Sequence, residues 1–197
     1  PIIEGWFISH AHEDHFGAME EIATKSNLAN QIVVEGIYFM EPSKEMQDIN
    51  NDRESIKYIK ATHKLFKNQE GTQAGFYRPQ FGQRYYFSDI HIDVCMTSEQ
   101  FANERGLYTT DFNDTSLWLK TIIEGQSFLC GGDSAQTGAR MIMKTFDKAY
   151  CTVDFFSVLH HAGNVYDYFT EFVTAHTAIY TTWRFASNGY GNPNESP

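Results

Sequence analysis

The segment WFISHAHEDHFGAM, Trp6 to Met19, sets His10, His12 and His15 within six residues, with Asp14 among them. Neutral imidazole nitrogens and carboxylate oxygens together suit zinc, iron or manganese. In an extended loop, side chains two apart point the same way, so His10 and His12 can share one ion. Asp14 and His15 are adjacent, point elsewhere and can take a second. The zincin arrangement is excluded, because it needs two histidines four apart and HEDH spaces them three apart. The plain alternative is a polar surface loop with idle histidines. Three His and an Asp directly after the apolar WFI weigh against it. Glu13 is expected in solvent.

Two later segments carry matching chemistry. FLCGGD ends in Asp133, behind two glycines that let the backbone turn. A helix cap is the plain alternative for this aspartate. DFFSVLHHAGN carries His160 and His161 directly after an apolar run. One is expected to be a ligand and the other to line the pocket, and His160, nearer the strand end, is favoured.

Together these segments resemble the metallo-β-lactamase-fold hydrolases. SHAHEDH is similar to their His-x-His-x-Asp-His signature, Asp133 to their metal-bridging aspartate, and His160 or His161 to their last histidine. NDTSLWL (Asn113–Leu119), FLCGGD, HHAG and NGYGNP look most like the branch containing the hydrolase domains of DNA-internalisation competence proteins. In that branch a His stands where this chain has Asn192. The resemblance runs from about Trp6 to Pro193 and implies an α/β fold, an αββα sandwich of two mixed sheets with outer helices. It implies two divalent ions, zinc before manganese or iron, held by His10, His12, Asp14, His15, Asp133 and His160 or His161. A metal-bound hydroxide, oriented by Asp14 as catalytic residue, would attack a phosphodiester or related ester bond.

Two departures leave other readings open. Most of the superfamily has a further metal-binding histidine before the bridging aspartate. Here only His63 and His91 fall in that interval, inside a helical and a strand-like segment. Both are expected to be structural, as is His176. Asn113 or Asp114 stands at the matching position instead. Asp114 and Ser116 are also candidates to accept hydrogen bonds from ligating imidazoles. The family also has strands ahead of the motif, so the chain is expected to be cut short on that side and the sheet carrying WFI to be poor in strands. A degenerate, non-catalytic binding module and a β-lactam or thioester hydrolase are the alternatives.

The elements that must position these groups alternate. GWFIS reads as a strand and GAMEEIATKSNLANQ as a helix with Met19, Ile22 and Leu28 on one face. IVVEGIYFM reads as one strong strand. After Pro42, the run from Ser43 to Gln69 reads as one long amphipathic helix capped by Ser43. QRYYFS, IHIDVCM, TSLWLKTII and SFLCGGD read as strands, the last two as a hairpin across EGQ. TGARMIMKTF is helical, TVDFFSVL a strand, YDYFTEFVTA helical and TAIYTTW a last strand. Tyr166, Trp183 and Tyr190 are candidates to rim the site.

A chain of 197 residues suits one domain, residues 1–197. The net charge of −10 disfavours strong nucleic-acid binding and favours a small or short phosphoester as partner. No apolar stretch is long enough to span a membrane. Cys95, Cys130 and Cys151 form no disulfide pattern. With no visible signal peptide, the expected location is the cytoplasm.

Overall fold

Gly36–Phe39 is buried at every residue, the pattern of a parallel strand enclosed by other layers. The computed structural model describes residues 1–24, 28–50, 53–99, 112–163 and 166–181. In it this strand, β4, runs parallel between β2 (Trp6–Ile8) and β5 (Gly75–Tyr77). A second small parallel pair joins β1 (Ile2–Ile3) to β3 (Val33–Val34). The single strand expected over Ile32–Met40 is therefore two strands, broken at Glu35. The Glu35 N–H donates to the Ile3 carbonyl, and its own carbonyl accepts from Gly75 N–H. One residue thus hands the chain from the β1–β3 pair to the three-stranded sheet.

Helices α1 (Glu13–Thr24) and α3 (Arg53–His63) cover one face of that sheet. Phe16 and Met19 of α1 and Ile56 and Ile59 of α3 pack with Ile8, Ile37 and Phe39. The first helix starts within HEDH and ends at Thr24; Leu28–Asn30 forms a separate turn, and Leu28 is exposed. Ser43 caps α2 (Lys44–Asn50) as expected, its Oγ accepting the Met46 N–H at 3.3 Å. The long helix expected to reach Gln69 is described over Lys44–Asn50, α2, and Arg53–His63, α3, and stops at His63. There a tight turn returns the chain, and the buried His63 ring is held by the Ala74 carbonyl at 2.6 Å.

The larger sheet has the order β11-β10-β9-β8-β7-β6. Its strands are β6 (Arg84–Phe87), β7 (Ile90–Met96), β8 (Trp118–Ile123), β9 (Gln126–Cys130), β10 (Thr152–Ser157) and β11 (Thr174–Ile179). β6 to β9 are antiparallel, and β9, β10 and β11 are parallel. The β8–β9 turn puts Glu124 and Gly125 at φ 50° and 80°, the left-handed pair that a two-residue hairpin needs. Helices α4 (Gln136–Thr145) and α5 (Asp167–Thr170) pack on this sheet around Trp118, Leu129, Ile142, Phe156 and Phe169. The helix expected over YDYFTEFVTA is only the single turn α5. The last strand begins at Thr174 and ends at Ile179, ahead of most of TAIYTTW.

The two sheets meet through an aromatic row. Phe7, Tyr38 and Tyr77 are cross-strand partners, stacked at 4.4 and 5.0 Å between ring centres. Tyr85 and Phe87 of β6 press edge-on against them. The layers are thus helix, sheet, sheet, helix, an α/β sandwich. Only the larger sheet is mixed. The smaller one, with three strands, is parallel throughout, because each of its connections returns over a helix. Among the described residues, no helix is long and apolar enough to cross a membrane.

Two glycines separate packing from propensity. A Cβ on Gly131 would lie 2.5 Å from the buried Trp118 ring, whereas one on Gly17 in α1 meets nothing within 4 Å. Gly131→Ala should destabilise the fold by about 1–3 kcal/mol. Gly17→Ala should stabilise it by up to about 1 kcal/mol. Chemical denaturation of both variants checks the pair, and equal midpoints would contradict it.

Candidate metal centre

Strand β2 ends at Ile8, and the chain then runs through Ser9 to His12 before α1 begins. The Ser9 carbonyl accepts the Leu117 N–H at 2.8 Å, which ties this loop to the start of β8. Strand β9 ends at Cys130, and Gly131 and Gly132 turn the chain to present Asp133. Gly132 has φ +52°, and a Cβ there would lie 2.8 Å from Ser116 Oγ and from Ser9 Cβ. Only glycine lets the Asp133 loop come this close to the histidine loop. Strand β10 ends at Ser157. After it, His160, His161 and Ala162 all sit at positive φ, 50°, 52° and 68°. Three successive non-glycine residues in this region store on the order of 1 kcal/mol or more each. The turn is held by Gly132 O accepting His160 N–H and by Thr181 O accepting from His161 Nδ1 at 2.6 Å.

These three strand ends bring Asp14, His15, Asp133 and His161 together, with one ligand atom from each within 4.8 Å of the others. His15 Nε2 lies 3.1 Å from Asp133 Oδ1, and His161 Nε2 lies 2.9 Å from Asp14 Oδ2 and 3.4 Å from Asp133 Oδ2. His10 and His12 stand beside this group with facing ring nitrogens 3.0 Å apart. The rings of His10 and His15 are 4.2 Å apart. His160 Nε2 is 3.8 Å from Asp133 Oδ2. His160, favoured from the sequence, is thus outside the four-residue group, and His161 is inside it. The left-handed turn swings the second histidine, not the first, toward Asp14.

The electrostatics follow from burial and crowding. Burial and the neighbouring His15 push the His10 pKa down to about 2, so its ring stays neutral. Burial opposes the charge on Asp133, but His15, with His10 and His161, brings its carboxyl below the ordinary value. Burial likewise works against a charge on His161. The Thr181 carbonyl, with Asp133 and Asp14, nevertheless raises its pKa. A carbonyl and a carboxylate both only accept, so His161 carries protons on both nitrogens when it bridges Thr181 and Asp14.

The donor set fits a divalent cation. It offers carboxylate and imidazole donors, its Asp133 is buried, and the buried His15 Nε2 atom faces Asp133 Oδ1 at 3.1 Å without well-formed hydrogen-bond geometry. Outer contacts hold the rings as metal-ligating histidines require. Ser9 Oγ lies 3.1 Å from His15 Nδ1 and 3.2 Å from His10 Nδ1. Ser116 Oγ lies 3.3 Å from His10 Nδ1 and accepts the Asp133 N–H at 3.1 Å. Ser116 therefore takes the supporting position expected of it. Ser9 was not anticipated, although it is the hydroxyl directly preceding the histidine run.

Asp114 does something else. Its Oδ1 accepts the N–H groups of Ala135 at 2.9 Å and Gly138 at 3.1 Å, capping α4, whose own N-cap Ala135 supplies no side-chain bond. Asp114 thus caps α4 from a distant segment. The neighbouring Asn113 lies in the same turn and is not among the four grouped residues. With the cap supplied there, Asp133 is left to face the histidines. His63, His91 and His176 lie in α3, β7 and β11, away from the group. Tyr166, a rim candidate, stacks on Tyr168 and packs against the core of the larger sheet. Trp183, Tyr190 and the NGYGNP segment with Asn192 lie outside the described residues.

No family model matches the chain, and no curated protein matches it. Among solved structures it is similar to the metallo-beta-lactamase fold protein YhfI from Bacillus subtilis, at 12% identity and a TM-score of 0.42, covering 78% of this chain and 48% of that one. It is similar to CmlA, a diiron beta-hydroxylase from Streptomyces venezuelae, at 12% identity and 0.43, covering 79% and 25%. It is similar to Zn²⁺-bound PqqB from Methylobacterium extorquens, at 7% identity and 0.43, covering 79% and 45%. The chain spans about half or less of the length of each. At likenesses this distant, the site has to be read from its own geometry.

Cap and cluster should separate on mutation. Asp114→Ala should cost about 0.5–2 kcal/mol of stability without changing the metal bound per folded chain. His15→Ala and Asp133→Ala should each lose metal by elemental analysis. Metal loss in Asp114→Ala with unchanged stability would reverse the assignment.

Proposed function

We propose that this chain is a metal-dependent hydrolase of the metallo-β-lactamase type. The reading is carried by one observation. Asp14, His15, Asp133 and His161, drawn from three strand ends far apart in sequence, converge with ligand atoms within 4.8 Å. Asp14, His15, Asp133 and His161 would hold one divalent ion. His10 and His12, with Asp133 between the two positions and His160 beside it, would hold a second. Zinc is the first choice for this nitrogen-rich set, with iron or manganese next. When bound, such ions lower the pKa of water and stabilise charge developing on a phosphoryl or acyl oxygen.

The chain's own groups do the rest. Asp133 is buried and its carboxyl is brought below the ordinary value by the histidines, so it would supply the negative charge that bound cations need. Asp14 is the most open member, with its side chain 61% exposed, and in this reading it serves both as a ligand and to orient the metal-bound hydroxide. His161 is pinned at Nδ1 by Thr181 O, which fixes Nε2 toward Asp14 and Asp133. Ser9 and Ser116 fix the rings of His15 and His10. The substrate class we favour is a small or short phosphodiester or related ester. The net charge of −10 supports a small anion over a long polyanion. The likeness of NDTSLWL, FLCGGD and HHAG to the competence-protein branch supports phosphoesters over lactams.

The test is turnover by the metal-loaded chain with bis(4-nitrophenyl) phosphate, a chromogenic β-lactam and a thioester side by side. The phosphodiester should be hydrolysed best. Asp133→Asn and His15→Ala should each lower its kcat/KM by more than about 100-fold, since even groups supporting metal ligands cost 10–100-fold. Close to two ions per chain are expected by elemental analysis. A chain that binds no metal and turns over none of the three is a non-catalytic binding module.

A further inference from the structure

Helices α2 and α3 enclose a cavity of about 300 Å³ lined by Glu41, Lys44, Gln47, Arg53, Ile56, Lys57 and Lys60. Four of the fifteen lysines and arginines of an acidic chain thus face one small space. Arg53, Lys57 and Lys60 are spaced i, i+4 and i+7, which puts them on one side of α3. Lys44 comes from α2 opposite. Ile56, between them, is buried in the core below, so the floor is rigid.

Three of the cations have acidic neighbours. Arg53 pairs with Asp48, Lys57 with Glu54, and Lys60 with Glu41 at 2.7 Å. Glu41 is further held by Gln47 Nε2 at 3.4 Å. The side chains of Arg53, Lys57 and Lys60 are 45–68% exposed, and such pairs contribute little to folding. Exposed lysines are rarely gathered for stability, since like charges on one helix side repel. The pairs with Asp48, Glu54 and Glu41 are exposed and weak, so a ligand of higher negative charge can compete with those carboxylates for the same N–H donors. A dianion can take up several N–H donors at once with charge-assisted bonds.

The cavity also lies at the working end of the molecule. Strands β2 and β4 pair with Ile8 opposite Phe39. The two strands are parallel, so the histidine loop that follows Ile8 and Glu41, two residues after Phe39, leave from the same end of the pair. The wall of the cavity and the histidine loop therefore grow from the same edge of one sheet.

We propose that the α2–α3 cavity is a binding site for a phosphate-type dianion, and that its occupant is a second phosphate of the substrate handled at the metal centre. The assignment of the occupant rests on the hydrolase reading; the anion site does not. Inorganic phosphate titrated calorimetrically into the full chain should bind, with affinity falling as salt is added. Lys44→Gln/Lys57→Gln, two changes at exposed positions, should weaken binding at least tenfold. Lys60→Gln should weaken it as well. Asp133→Asn, which disables the metal centre, should still bind phosphate. Absence of binding to the wild type, equal binding by the lysine variants, or loss of binding in Asp133→Asn alone would overturn the site. A second readout assigns the occupant. The ratio of kcat/KM for a 4-nitrophenyl phosphodiester bearing an additional phosphate to that for bis(4-nitrophenyl) phosphate should fall at least tenfold in Lys44→Gln/Lys57→Gln. An unchanged ratio in an active enzyme sinks the assignment of the pocket to substrate while the hydrolase stands. No turnover of any ester, with phosphate binding intact, sinks the hydrolase reading and leaves a site for free anions.

Discussion

Asp133 is a carboxylate kept at 4% exposure. An isolated charge in that position is among the most costly things a fold can contain. The site is organised around meeting that cost. His15 and His161 approach its two oxygens at 3.1 and 3.4 Å, and His160 stands at 3.8 Å. Its backbone N–H is bound by Ser116. The same crowding keeps His10 neutral, because a further positive charge at its buried ring would meet both desolvation and His15. A buried carboxylate ringed by imidazole nitrogens is the electrostatic complement of a cation, and the strained turn at His160–Ala162 is maintained beside it.

What lets Asp133 sit there is packing two residues away. Gly131 rests on the ring of Trp118, and Trp118 Nε1 donates to Ser134 Oγ at 2.6 Å. Residues 131–134 are therefore gripped on both sides of the aspartate by one fully buried indole. Asp114 then fixes the first turn of α4 from outside. Core, cap and site share a single short segment. A change in the core of the larger sheet should be felt as a displacement of the carboxylate before it is felt as unfolding.

How much of this was legible in the sequence varied with the kind of information involved. His10, His12, Asp14 and His15 are close in the chain, so local spacing sufficed to group them. Asp133 and the His160–His161 pair were found through the resemblance of FLCGGD and HHAG to the metallo-β-lactamase-fold hydrolases, and their place after apolar strand-like runs agreed with it. The choice between His160 and His161 was not legible. It depends on three consecutive left-handed residues that no side-chain pattern announces. The capping role of Asp114 was not legible for a similar reason: the N–H groups of Ala135 and Gly138 that it accepts are twenty-one and twenty-four residues away, and a cap is recognised from sequence only when it is local. The break of one β-rich run at Glu35 was hidden because both halves are equally apolar. Only the backbone bonds of Glu35 show that they serve different sheets.

Charge is distributed unevenly about the centre, and this bears on how a ligand would lie. Along the outer side of α1, Glu13, Asp14, Glu20 and Glu21 line a cavity of about 550 Å³. Asp14 belongs both to this acidic wall and to the metal-ligand group. Helices α2 and α3 present the lysine-rich cavity. An anion is repelled by the first wall and attracted by the second. A ligand with negative charge at one end and a neutral group at the other would thus be turned in one sense only. Its charged end would lie toward Lys44, Lys57 and Lys60, and its neutral end toward α1.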